Sequence, residues 1–172
     1  MTLSRRLALV AMVACLAGPA TESLAQTPSQ SLSIRGEVKT PLTVSVDDLK
    51  AFPADQIGSF TVTRKVDGQE RSSTVRGVRL SALVERAGLA PTGRHEWKHL
   101  AVIASATDGY RVAFSWPELI NTEVGPGVLV VFERDGQPLD AGEGRIALVS
   151  ARDVRAGPRH VKWLNTIELR LL

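Results

Sequence analysis

The sequence is poor in residues that carry chemistry through sulfur. It has one cysteine, Cys15, in 172 residues, so no disulfide can form within it and no group of thiolates can hold a metal. It also has little excess charge of either sign. The 21 Lys and Arg side chains against 18 Asp and Glu give a formal net charge of +3. A nucleic-acid-binding surface needs a stronger basic bias, so polynucleotide binding is disfavoured.

Long apolar runs are equally scarce. The longest covers residues 7–17 and falls well short of the ~20 residues that a membrane-spanning helix needs. Two arginines precede this run, and Ser23-Leu24-Ala25 follows it with small residues suited to signal peptidase. We therefore predict that residues 1–25 are a signal peptide and that the protein is exported to the periplasm. Lipoprotein anchoring at Cys15 is the alternative.

The remaining sequence predicts one globular domain. Residues 26–31 are Gln, Thr, Pro and Ser, which bury almost nothing, and we predict a disordered leader there. The composition, 44% apolar and 23% charged, is typical of a single folded domain. We place that domain at 32–172.

Turn and helix signals predict mostly short strands in this domain. Asp-Gly pairs at 67–68, 108–109 and 135–136 favour tight hairpin turns between alternating apolar segments. Apolar residues at helical spacing predict a helix over 80–87 that Gly88 ends. Two further short helices are predicted, one over 48–52 capped by Asp47 and one beginning at Ser115. The sequence therefore predicts a β-rich α+β domain.

Two motif matches are weakened by their context. His95-Glu96-Trp97-Lys98-His99 spells the zinc-peptidase pattern, but the following residues 100–103 are typical of a strand. On a strand the two histidines would lie ~13 Å apart at ~3.3 Å per residue, too far to share a zinc ion. Residues 142–147 fit a dinucleotide-loop pattern but lead into a strand rather than a helix. A zinc hydrolase remains an alternative that His99→Ala would test.

A cationic stretch from 145 to 162 carries the main candidates for ligand binding. Arginine forks match the planar polar edges of heterocycles and the oxygens of anions. A tryptophan at a predicted turn, Trp116, could stack on a flat ring. The alternatives are a solvated cationic edge and a tryptophan in the core. The candidate ligand-binding residues are Trp116, Arg145, Ser150, Arg152, Asp153, Arg159 and Lys162.

The order of several short motifs resembles the molybdopterin-binding domain of the sulfite oxidase family. The resemblance covers about residues 32–171 and implies a strand-rich α+β fold in which a pterin lies in a cleft between loops. The matching segments are 42–49 with Phe52-Pro53, Arg76-Gly77-Val78-Arg79-Leu80 with 81–83, 106–110, 135–139, and Arg159-His160-Val161-Lys162-Trp163-Leu164 before Ile167.

The sequence departs from that family at the metal ligand. Redox members hold molybdenum through a cysteine about a dozen residues before the Gly-Val-x-Leu element, and residues 61–74 contain no cysteine. We therefore predict a metal-free pterin rather than a molybdenum cofactor. A molybdopterin-dependent oxidoreductase with a non-cysteine metal site remains the alternative.

The resemblance extends to exported pterin-binding proteins that lack the cysteine. It implies a non-catalytic protein that binds a small pterin and signals occupancy to an inner-membrane receptor. Arg145 falls on the arginine of the family's Pro-x-Arg segment, and Lys162 falls on the lysine before tryptophan. The other five candidates rest on their chemistry, with Asp153 as acceptor for the N3 proton and amino group of a pterin. A module with a vestigial cleft is a further alternative.

Overall fold

We describe the protein from a computed structural model. The structure describes residues 29–90, 93, 95–155 and 157–172, with the backbone alone at position 66. The predicted signal peptide, Cys15 and the first residues of the predicted leader lie outside these ranges.

Within the residues described, the domain has ten strands and three α-helices. The strands are β1 (Ser31–Gly36), β2 (Leu42–Ser45), β3 (Ile57–Val66), β4 (Gln69–Arg79), β5 (Leu100–Ala106), β6 (Arg111–Ser115), β7 (Val128–Arg134), β8 (Gln137–Pro138), β9 (Ala147–Ser150) and β10 (Leu164–Leu171). The helices are α1 (Val46–Lys50), α2 (Leu80–Ala87) and α3 (Trp116–Asn121). The predicted β-rich α+β class is confirmed.

The strands form two five-stranded sheets. The first has the order β2-β1-β10-β5-β6, in which β1 and β10 are parallel and the other neighbours are antiparallel. The second has the order β3-β4-β7-β8, and β9 also pairs with β7. Within the described residues β3 pairs with β4 alone, so its other side is a free edge.

Alternation along the strands divides the apolar residues between two cores. On β1, Leu32 and Ile34 are fully buried. On β7, Val130 and Phe132 join the main core with the inner face of the first sheet and the helices. Leu129, on the opposite face of β7, belongs to a smaller cluster on the far side of the second sheet. β7 is therefore buried on both faces.

The local signals for hairpins and helices are largely confirmed. Asp67 and Gly68 both have positive φ, 53° and 77°, as a tight two-residue hairpin turn requires. α2 ends at Gly88, and Ser115 caps α3 by accepting from the Glu118 N–H at 3.1 Å.

Two boundary predictions are wrong. The cap of α1 is Ser45 rather than Asp47, because Ser45 and Asp48 cap each other's backbone N–H in a capping box. The predicted disordered leader is too long, since β1 begins at Ser31 and Ser29 is only 6% exposed. No helix among the described residues has the length and apolar character to cross a membrane.

Candidate functional site

A groove lies along the free edge of β3. One wall is formed by residues 61–65 of β3 and the other by the loop that follows β9, from Ala151 to Pro158. It has a volume of about 790 Å³. We call it the edge groove. Every second residue of an edge strand turns its N–H and C=O away from its neighbour, so one wall offers backbone donors and acceptors.

Arg152 belongs to the loop that walls the edge groove, but it is not one of the residues that line the groove. Its guanidinium lies 5.5 Å from the centre of the Phe60 ring, over the part of β3 that precedes the groove. It also donates to the Glu123 carbonyl oxygen at 3.0 Å and to the Glu123 carboxylate at 2.9 Å. Arg152 therefore links the loop after β9 to the loop that contains Glu123, and its guanidinium is already hydrogen-bonded.

Ser150, Asp153 and Arg159 lie together, and Asp153 is hydrogen-bonded by the other two. Ser150 Oγ donates to Asp153 Oδ1 at 2.7 Å, and Arg159 Nε donates to Asp153 Oδ2 at 2.7 Å. Arg159 also donates to Glu118 Oε1 at 2.8 Å and lies 4.4 Å from the centre of the Phe114 ring. Arg159 is thus held on all sides and fixes the loop that walls the groove.

Asp153 keeps its charge at the wall of the groove. Burial alone would raise the pKa of its carboxyl, but the hydrogen bonds from Arg159 and Ser150 hold that pKa below its ordinary value. The hydrogen bond to Asp153 in turn raises the pKa of Arg159. Asp153 therefore stays an anionic acceptor, as the predicted contact with a pterin requires.

A buried carboxylate, Glu143, ties the groove to the rest of the second sheet. Arg134 Nη2 donates to Glu143 Oε2 at 2.8 Å, and Arg64 lies 3.4 Å from Oε1. His160 Nε2 lies 3.2 Å from Glu143, while its Nδ1 lies 2.9 Å from Arg64 Nη1. Because a guanidinium only donates, Nδ1 accepts and Nε2–H donates to Glu143. We call these four residues the Glu143 cluster.

The Glu143 cluster is not among the residues that the sequence predicts for the site. Its members come from β3, β7 and the two loops beside β9, and no local pattern marks their meeting. Burial would raise the pKa of Glu143, but the hydrogen bonds from His160 and Arg134 hold it well below its ordinary range. The carboxylate therefore remains charged and links β3 and β7 to the loops on either side of β9.

A second, separate cleft lies against α1. It is lined by residues of α1, by Phe132 of β7 and by the loop from Pro138 to Arg145, with a volume of about 520 Å³. We call it the α1 cleft. Its lining shares no residue with that of the edge groove. Arg145 lies here, away from Asp153, so the structure does not bring the predicted residues into one site.

The two remaining candidates lie elsewhere. Lys162 is half-buried, and its Nζ lies 5.9 Å from the centre of the Trp163 ring. Trp116 is only 5% exposed and packs in the main core. The stacking role predicted for Trp116 is therefore wrong, because its position at the start of α3 turns the indole inward and leaves no open ring face.

The zinc-peptidase pattern does not form a metal site. Glu96–His99 is a single 3-10 turn, and the strand predicted at 100–103 follows it as β5, which begins at Leu100. His95 and His99 are both exposed. Among the residues that the structure describes, no group of three or more His, Cys, Asp or Glu side chains could hold a metal ion.

Comparisons with known proteins point to one family. The model for the oxidoreductase molybdopterin binding domain matches residues 19–171. Among solved structures, the sulfane dehydrogenase SoxCD from Paracoccus pantotrophus superposes with a TM-score of 0.62 at 20% identity. The match covers 81% of this chain and 37% of that chain, and at this identity it shows a shared fold. No curated protein sequence matches the chain.

Proposed function

Because this chain belongs to the oxidoreductase molybdopterin-binding domain family, as its motifs predicted, we propose that it is a pterin-binding protein without redox activity. The edge groove is the site for the pterin. The protein is exported to the periplasm, and it reports its occupancy to a receptor in the inner membrane.

The observation that supports this proposal is that two distant segments of the chain form the two walls of the edge groove. One wall, residues 61–65, belongs to the segment in which the family resemblance expects the metal-binding cysteine. The other wall belongs to the cationic stretch of 145–162. Segments far apart in the chain thus meet at one groove of a size typical of small-molecule sites, which span about 300–1,000 Å³.

The chemistry of the groove suits a flat, polar heterocycle. The free edge of β3 offers backbone N–H and C=O groups, and Asp153 offers a carboxylate. A pterin carries an amide and an amino group that pair with such donors and acceptors. Lys65 and Arg155 also line the groove, and neither has a carboxylate partner among the residues described, so both can contact an anionic substituent.

The donor set does not fit molybdenum held by a thiolate. The groove offers hydroxyls of Thr61 and Thr63, the Asp153 carboxylate and basic side chains. The only cysteine in the sequence is Cys15, in the predicted signal peptide. Because soft thiolate ligands are what this kind of site uses, the residues support a metal-free pterin.

The loop that walls the groove offers a surface that a receptor could read. Val154 is fully exposed at its tip, and Arg159 anchors its base through Asp153. A ligand in the groove would contact this loop directly, and its outer side would face a partner. The receptor and the export step rest on the family resemblance and on residues 1–25.

The test starts from protein purified from a bacterial periplasm. After denaturation, released small molecules are identified by fluorescence and mass spectrometry, and molybdenum is measured in the same sample. We expect close to one pterin per chain and no stoichiometric molybdenum. Stoichiometric molybdenum would instead support an oxidoreductase with a non-cysteine metal site.

Variants locate the site. Protein stripped of its ligand is titrated with a reduced pterin, with and without a phosphate. The double variant Lys65→Gln, Arg155→Gln should bind the phosphorylated pterin more weakly than the wild type does. Lys39→Gln, an exposed lysine far from the groove in the sequence, is the matched control. Stripped protein that binds no pterin would overturn the proposal.

A further inference from the structure

The α1 cleft has an apolar floor. Phe132 is fully buried beneath it and Leu139 is only 9% exposed. Val46 of α1 and Pro138 of β8 complete the apolar lining. A volume of about 520 Å³ is enough for a ligand with one or two rings. An apolar floor framed by a few polar groups is the usual build of a small-molecule site.

The charges around this floor leave one cation without a partner. Asp47 and Lys50 lie 3.8 Å apart and offset each other. Asp140 Oδ1 accepts the Glu143 N–H at 2.9 Å. Arg145, in contrast, has no carboxylate partner within the described ranges. Arg145 is therefore a guanidinium in the lining that is free to bind a carboxylate in a forked geometry.

The loop that carries Arg145 is held in place before any ligand arrives. Trp163 Nε1 donates to the Ala141 carbonyl at 3.1 Å, and the Trp163 N–H donates to the Glu143 carbonyl at 2.9 Å. Trp163 adopts a φ of 47°, which non-glycine residues rarely take. Gly144 makes this contact possible, since a Cβ there would lie 2.8 Å from Trp163 Cδ1. Such local strain is typical of sites whose geometry matters.

From these observations we propose that the α1 cleft is a second binding site, which takes a small aromatic carboxylate. The ring packs on Val46, Pro138 and Leu139, above the buried Phe132. The carboxylate meets the Arg145 guanidinium, which also favours contact with aromatic faces. This site is independent of the pterin proposed for the edge groove, because the two linings have no residue in common.

A pair of probes with the same rings and different charge tests the proposal. We would titrate the protein with 1-naphthylacetate and with the uncharged 1-naphthylacetamide, and follow backbone amide shifts by NMR. We expect the acid to bind about tenfold more tightly than the amide, as one charge-assisted contact provides. The shifted amides should lie in 46–50 and 138–145, and not in 61–65.

Substitutions separate the charge from the apolar floor. Arg145→Gln should abolish the preference for the acid and leave the affinity for the amide unchanged. Arg71→Gln, an exposed arginine on β4, is the matched control and should leave both affinities unchanged. The proposal is overturned if acid and amide bind equally to the wild type, if the preference survives Arg145→Gln, or if neither probe binds.

Discussion

At the scale of single residues, Trp116 is a large buried side chain of the main core. Its indole fills space beneath α3, so Trp116→Ala should leave a cavity and lower the free energy of unfolding by about 3–5 kcal/mol. Pterin affinity of the folded protein should stay unchanged. Urea unfolding and a pterin titration measure the two effects. A loss of affinity with full stability would return Trp116 to the binding site.

Glu143 is a buried carboxylate, with 8% exposure, that contacts two arginines and a histidine. Glu143→Gln leaves Arg64 and Arg134 beside a neutral amide, and both arginines are mostly buried at 28% and 17% side-chain exposure. The free energy of unfolding at pH 7 should fall by about 3 kcal/mol, the cost of leaving buried charges unpaired.

Glu168→Gln is the matched control for that change. Glu168 also contacts two arginines, Arg35 and Arg170, but these are 60% and 56% exposed. Because exposed ion pairs contribute little, urea unfolding should find Glu168→Gln close to wild type. Equal losses in the two variants would contradict the role given to burial.

At the scale of elements, Gly77 allows β4 to approach β7. A Cβ at this position would lie 2.3 Å from the Val130 carbonyl oxygen, next to an irregularity in the pairing of the two strands. Gly77→Ala should therefore push the strands apart and lower the free energy of unfolding by about 1–3 kcal/mol. Thermal unfolding measures it, with the exposed Glu70→Ala on the same strand as control. An unaffected Gly77→Ala protein would mean that the strands separate without loss.

Elements were predictable where their signals are local. The Asp-Gly turns and α2 depend on neighbouring residues, and the structure has them where the sequence predicted. The cap of α1 was not predictable in this way. Ser45 and Asp47 are both good capping residues, and only the reciprocal hydrogen bond between Ser45 and Asp48 decides between them. The Gly-Val-x-Leu motif is visible in the sequence, but glycine is needed at position 77 because β4 there lies against Val130 of β7, about fifty residues away.

The candidate site was less predictable than the elements because it depends on how the whole chain is arranged. Residues 145–162 are close in sequence, yet β9 lies between Arg145 and Asp153, and the two side chains line different clefts. Arg64 contacts a carboxylate 79 residues away, a contact that no local pattern records. The sequence therefore pointed to a segment whose residues line both clefts, but it did not predict which of them share a cleft.

The molecule as a whole should lose stability in acid. The pKa values of Glu143 and Asp153 are held below those of an unfolded chain, near 4. The unfolded state therefore binds more protons as the pH falls through this range, and the stability that these carboxylates contribute at neutral pH is lost. Unfolding measured from pH 7 to pH 3 should show this decline. It should be shallower in Glu143→Gln, and identical slopes would contradict the assignment.

The position of β10 determines when the first sheet can assemble. β10 is the last strand along the chain, yet it lies at the centre of the first sheet, with β1 on one side and β5 on the other. The β1–β2 pair and the β5–β6 pair meet in that sheet only through it. Pairings so distant in sequence form slowly, and these cannot form before residues 164–171 have been synthesised. The first sheet of the nascent protein therefore stays incomplete until those residues have emerged from the ribosome.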